Sequence, residues 1–304
     1  MLEVRADRPI DPMLQQILRQ VCEVTATLDL EFFVGGAMAR DILLTHVFGQ
    51  KLARATRDVD LGLYVNDWDE FKRLKEQLVR SGHFVEDRTM AQRLHHRSRL
   101  PLDLIPFGGV ATKNQAITWP PSHEIVLNVA GFADALRSAI MVDLGDGLQV
   151  KTCSLPALAV LKLIAWKDRG LENNKDATDF LLIARLYGPA QNEERLYATE
   201  RELLYAADGD PELAGAQLLG KDAAMQCRPD TAQQVSDLLA DGMLRQRLSD
   251  QLLRAQSGSM QENDAVKIEK LIGAFIRGFV STRQLSTPVS QRAPASARIG
   301  RSRR

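Results

Sequence analysis

The chain has 304 residues, 45% hydrophobic and 26% charged, enough to bury a substantial core and to form two domains. Lys plus Arg and Asp plus Glu both number 39, so net charge gives no reason to expect a nucleic acid or a membrane as partner. Cys22, Cys153 and Cys227 show neither CxxC nor Cys/His spacing, which argues against a disulfide framework and a zinc site.

The opening residues "MLEVRADRPIDPM" carry no apolar signal-peptide run, and nowhere do eighteen apolar residues stand together. The expected location is the cytoplasm. Charge is uneven along the chain, however: six arginines and no acid fall between Arg283 and Arg304, which makes the remainder mildly acidic.

After Asp11-Pro12, the residues Leu14, Ile17, Leu18, Val21 and Cys22 recur at helical spacing and predict a helix over 12–27. "EFFV" reads as a short buried strand, Gly35-Gly36 as a joint, and "AMARDILLTHV" as a helix from Ala37 to Val47. From Thr56 to Val65 the period changes to two: Val59, Leu61, Leu63 and Val65 alternate with Asp58, Asp60, Gly62 and Tyr64. That pattern predicts a strand with both aspartates on the face away from the core.

Asp67 followed by Glu70 resembles a capping box, opening a helix that closes at Ser81-Gly82. "AQRLHHR" and "LPLDLIPF" are candidate strands, the latter directing Asp103 opposite to Leu102 and Leu104. His95 and His96 are adjacent on a strand and face opposite ways, so they do not share one ion. A hairpin is expected over 139–152, turning at Gly145-Asp146-Gly147.

Beyond Ser154, a candidate N-cap with Pro156 in the first turn, the expected helices run over 155–169, 175–187, 193–207, 231–253 and 263–280. The fold class is therefore α+β: a mixed sheet with flanking helices over 1–153, a helical domain over 154–282, and a basic tail over 283–304 too poor in hydrophobes to fold.

Two aspartates at i and i+2 on one strand face bring their carboxylates close enough for a pair of divalent cations, which two-metal phosphoryl-transfer sites hold about 3.5 to 4 Å apart. Asp103 on a neighbouring strand would add a further oxygen ligand. Magnesium favours carboxylate, water and phosphate oxygens, so Asp58, Asp60 and Asp103 form a candidate site for two Mg2+ ions and a nucleoside triphosphate. A strand entering a helix through two glycines lets a phosphate approach backbone N–H groups, a use for Gly35 and Gly36. Each feature also has an ordinary reading: D-x-D is common on exposed strand faces, and Gly-Gly is commonly a plain turn. Their order along the chain favours the catalytic one.

"FFVGGAMARD", "RATRDVDLGLYV" and "LPLDLIPF" together resemble the DNA polymerase β-type nucleotidyltransferase superfamily, and "VGGAMARDILL" is similar to the equivalent turn of CCA-adding enzymes. Within that superfamily, "LKLIAWKDR" and "NKDATDF" resemble the helical half of the AbiEii/AbiGii abortive-infection toxins. The resemblance implies a nucleotidyltransferase-like fold, with Gly35 and Gly36 at the nucleotide phosphates and Asp58 and Asp60 ligating both metals. It also implies Asp103 on the catalytic metal, Lys162 at the triphosphate, and Asp176 or Asp179 near nucleotide or acceptor. Twenty-one residues separate Gly36 from Asp58, more than in the compact motif, with the loop "GQKLARA" taking up the excess.

Lys162, Asp176 and Asp179 have local explanations as well. Asp176 suits a first helical turn, and Lys175 with Asp179 makes an i,i+4 pair. Arg40 and Asp41 either join the site or pair on the helix surface, and Arg57 is expected to be structural. Arg93, Arg97 and Arg99 are candidates for contacts with an acceptor's phosphates. The implied role is a toxin of a toxin-antitoxin pair, with an antitoxin as partner and tRNA as candidate acceptor. The alternatives are transfer to a small molecule, as in antibiotic-modifying enzymes, and a non-catalytic nucleotide-binding regulator.

Overall fold

The computed structural model describes residues 1–52, 56, 58–121, 123–255 and 262–286, with side chains from 265 to 283 in the last segment. Arg57, the whole alanine-arginine part of the "GQKLARA" loop (53–55) and the tail from 287 onward lie outside the described residues.

Among the described residues ten strands form: β1 (Leu2–Glu3), β2 (Phe32–Val34), β3 (Val59–Val65), β4 (Phe84–Glu86), β5 (Arg93–His96), β6 (Pro101–Gly108), β7 (Ala116–Thr118), β8 (Val126–Asn128), β9 (Ile140–Asp143) and β10 (Gln149–Thr152). Eight make one mixed sheet in the order β1-β9-β10-β2-β3-β6-β5-β4, and β7 and β8 pair by themselves. At its centre β3 runs antiparallel to β2 and parallel to β6.

The sheet carries α1 (Pro12–Thr27), α2 (Gly36–Asp41), α3 (Trp68–Arg80) and α4 (Phe132–Arg137). Asp11 caps α1 by accepting from Met13 N–H, and Asp67 caps α3 by accepting from Glu70 N–H. The return half of the expected capping box goes elsewhere, because the Glu70 carboxylate accepts from Asn66 N–H.

The expected helix 37–47 is a single α-helical turn and a half, α2, continued by a π-helical turn over Ile42–Val47. The expected strand 56–65 starts only at Val59. Thr56 is drawn aside, its N–H donating to Asp41 Oδ2 and its hydroxyl accepting from Asp58 N–H.

The remaining helices are α5 (Leu155–Arg169), α6 (Lys175–Tyr187), α7 (Glu193–Tyr197), α8 (Arg201–Ala206), α9 (Pro211–Gln226), α10 (Pro229–Ala240), α11 (Gly242–Ala255) and α12 (Glu262–Ser286). Ser154 caps α5 as expected, accepting from Ala157 N–H. The expected helix 193–207 is divided into α7 and α8. The expected helix 231–253 breaks at Asp241, which adopts an extended ψ and caps α11 through the N–H groups of Met243 and Leu244. Helix α9 was not anticipated; it runs through the helical core with α12 against it. The last helix extends past 282 to Ser286. Among the described residues no helix is long and apolar enough to cross a membrane.

The two faces of the central strands differ. Val59, Leu61, Leu63 and Val65 are buried on one face with Leu102 and Leu104. The other face was expected to stand away from the core, but only one end of it is polar. Phe33 lies over Gly62, where a Cβ would come within 2.3 Å of its ring, and Phe33, Phe107 and Phe132 pack with centroids 5.7 to 6.0 Å apart. Small Gly62 leaves room for an aromatic second layer, which ends where the carboxylates begin.

Candidate active site

Asp60 and Asp103 sit directly opposite each other in the parallel register of β3 and β6, so their side chains share one sheet face. Asp58 is exposed and precedes β3 by one residue. Burial, followed by the charge of Asp103, pushes the Asp60 carboxyl up to about 6; Lys162 pulls it back, and Asp58 adds to the rise. Asp60 therefore lies within electrostatic reach of both Asp103 and Asp58. Among the described residues nothing donates a hydrogen bond to the Asp60 carboxylate, whose shift comes from burial and charge alone.

The glycine joint has a steric cause. Gly36 has φ +57°, and a Cβ there would come within 1.9 Å of Asp60 Oδ2. Gly35 has extended backbone, donates its N–H to the Asp60 carbonyl at 2.8 Å, and would bring a Cβ no nearer than 3.4 Å to the Phe33 ring. Of the pair, Gly36 is the one that lets backbone touch the carboxylate, and it opens α2 beside it.

Asp103 is held from the side. Arg93 faces it across β5 and β6 and donates from Nε to Oδ1 and from Nη2 to Oδ2, both at 2.7 Å. Of the arginines considered for acceptor contacts, Arg93 is thus engaged by a site carboxylate, while Arg97 and Arg99 are exposed near the turn that enters β6. Among the described residues, no three His, Cys, Asp or Glu side chains already stand as a metal-holding group. The histidines separate as expected, His95 to Asp87 and His96 to Ser98 and the Phe84 ring.

Behind the carboxylates lies a buried charge network from three helices. Lys162 Nζ on α5 meets Asp176 at 3.1 Å and Asp179 at 2.6 Å on α6. Arg40 on α2 pairs with Asp179 and donates to Asp41 at 2.6 Å, and Arg169 forks onto Asp176 at 2.7 and 3.2 Å. Burial alone would lower Lys162, but Asp179 and Asp176 together hold it above its ordinary value. Burial likewise works against Asp176, yet Arg169 and Lys162 hold it below the usual carboxylate range.

The network joins Lys162, Asp176 and Asp179, and brings Lys162 within electrostatic reach of Asp60. Asp179 turns to Lys162 and Arg40 instead of Lys175, and Arg40 and Asp41 are buried instead of paired on a helix surface. Two contributions lay beyond sequence reasoning. Arg169, half exposed, also acts on Asp60, and Asp41 fastens the segment before Asp58.

A family model described as "Nucleotidyl transferase AbiEii toxin, Type IV TA system" matches residues 16–270. No curated protein matches the chain. Among solved structures, the antibiotic-resistance factor ANT(2'')-Ia is 16% identical, with 66% of this chain and 97% of that chain covered and a TM-score of 0.35. An antigenic nucleotidyltransferase-like protein from Paracoccidioides brasiliensis is 17% identical over 67% and 93%, with a TM-score of 0.37. A CCA-adding enzyme is 12% identical over 91% and 82%, with a TM-score of 0.26. At these scores the structural likenesses are loose, and the assignment rests on the family match.

Proposed function

Because the chain belongs to the AbiEii nucleotidyltransferase family, we propose that Asp58, Asp60 and Asp103 form its catalytic centre, transferring a nucleoside monophosphate from a nucleoside triphosphate to an acceptor hydroxyl. The observation that carries this reading is the opposed pair Asp60 and Asp103, with the Asp60 carboxyl pushed up to about 6 by burial and neighbouring negative charge. Such a cluster is short of positive charge, and oxygen donors of this kind suit magnesium. Asp58, Asp60 and Asp103 would hold two Mg2+ ions, which when bound would offset charge on the phosphates and acidify the acceptor hydroxyl.

The chain's own residues then bind and orient. Gly35 and Gly36 let the phosphates approach the start of α2, and Lys162 and Arg169 supply positive charge within electrostatic reach of Asp60. Asp176 and Asp179 fix Lys162, and Arg40 fixes Asp179. The acceptor oxygen bonds to the α-phosphorus, the bond from that phosphorus to the pyrophosphate oxygen breaks, and the hydroxyl proton passes to water. In this reading residues 1–153 carry the metal ligands and Arg40, and 154–282 carry Lys162, Arg169, Asp176 and Asp179.

The same proposal takes tRNA as acceptor and the protein as the toxin of a type IV toxin-antitoxin pair, acting in the cytoplasm and opposed by a partner antitoxin. The test is incubation of the full chain with each α-labelled nucleoside triphosphate, magnesium and total RNA. Label in tRNA supports the proposal. Label confined to small molecules assigns a different acceptor, and no label with any nucleotide overturns it.

A further inference from the structure

We infer that Arg93 is a positioning residue that holds Asp103 and restrains metal loading of the centre; this rests on the reading of Asp58, Asp60 and Asp103 given above. The two residues are direct cross-strand partners, so the fork is set by sheet register and not by a loose surface side chain. Both carboxylate oxygens are engaged at 2.7 Å, and the pair is mostly shielded, with 26% of the Arg93 and 16% of the Asp103 side chain exposed.

Asp60, beside Asp103, has no such forked partner among the described residues. The single guanidinium charge therefore offsets the member of the trio that a divalent ion would need to share with Asp60. A cation arriving at Asp103 meets that charge at short range, where Coulomb repulsion between the two is strong. The planar fork also sets the plane of the carboxylate, which a lysine ammonium does not.

Arg93 accordingly has two separable effects. Its charge weakens binding of a divalent ion in the absence of nucleotide, and its fork orients Asp103 for the transfer step. The nucleotide, bringing negative phosphates, tips the balance toward loading.

The experiment measures Mn2+ binding to the full chain without nucleotide, from the electron paramagnetic resonance signal of the free ion, for wild type, Arg93→Gln, Arg93→Lys and Asp60→Asn. Arg93→Gln is expected to bind Mn2+ about tenfold more tightly than wild type. Arg93→Lys keeps the charge and is expected to bind as wild type, but with lowered kcat and unchanged KM for nucleotide. Unchanged or weaker Mn2+ binding in Arg93→Gln, with binding lost in Asp60→Asn, overturns the inference and leaves the centre standing. Full kcat in Arg93→Lys overturns the orienting role. Mn2+ binding that is indifferent to Asp60→Asn in every background overturns the proposed centre and this inference with it.

Discussion

Gly36 lies so close to Asp60 that a Cβ on the glycine would come within 1.9 Å of the aspartate Oδ2. The contact joins the start of α2 to the candidate metal ligand, and φ +57° at Gly36 adds a second reason for glycine. Gly36→Ala is therefore expected to displace Asp60 and lower transfer by about a hundredfold or more, as misplacements of about 1 Å do. Gly35→Ala, whose Cβ would meet the Phe33 ring at 3.4 Å and the Asp60 carbonyl at 3.7 Å, both ordinary contacts, is expected to lose less activity than Gly36→Ala. Steady-state rates of the two variants make the comparison, and equal losses would contradict it.

Asp60 makes stability depend on pH. Its carboxyl is raised from 3.8 to about 6, so between those values the native state binds more protons than the unfolded chain. Stability then falls as pH rises through that window, and above it the ionised group costs about 3 kcal/mol at the outside. Asp60→Asn removes the cost. Thermal melts without metal should show the variant more stable than wild type at pH 8, with the gain vanishing toward pH 4. No gain at pH 8 would contradict the raised value.

Arg40 holds two buried carboxylates, Asp41 and Asp179. Arg40→Met leaves Asp179 with Lys162 and Asp41 with the Thr56 N–H but takes from each its guanidinium partner in a poorly solvated place, and the expected loss is about 3 to 5 kcal/mol, the usual cost of breaking a buried pair. Arg40→Lys should recover only part of it, because an ammonium does not reproduce the fork. Denaturant midpoints measure both variants. A loss below about 1 kcal/mol for Arg40→Met would place the network outside the folded core.

Helices α9 and α12 touch through glycine. A Cβ on Gly278 would reach 1.9 Å from the Gln217 carbonyl, and one on Gly220 would reach 2.1 Å from the Phe275 carbonyl. Backbone does not yield as a side chain does, so Gly278→Ala is expected to destabilise by about 1 to 3 kcal/mol or more despite alanine's better helix propensity. Unfolding in urea should show it, and a stabilised variant would contradict the close packing.

The same helix shows where sequence reading stopped. Residues 211–226 are buried on several sides, at Ala214, Gly215, Ala216, Leu218, Leu219, Gly220, Ala223 and Ala224, so no apolar stripe distinguishes one face. Its glycines argue against a helix until α12 is in place. By contrast α1, α3, α5 and α6 carried apolar periodicity or end signals of their own, and their bounds followed. The Gly-Gly joint, Asp60 and Asp103 were legible as a pattern because strand alternation fixes which residues share a face. Arg93 against Asp103 depended on the β5–β6 register, and Arg40 against Asp179 spans 139 positions, which no local spacing encodes.

The central claim is that the Asp60 and Asp103 carboxylates carry out nucleotidyl transfer. It is tested most directly by transfer of label from an α-labelled nucleoside triphosphate with magnesium, comparing wild type with Asp60→Asn and Asp103→Asn, each checked for an intact thermal transition. Label transfer by wild type and none by either folded variant is the expected result. Transfer by folded Asp60→Asn at the wild-type rate would contradict it.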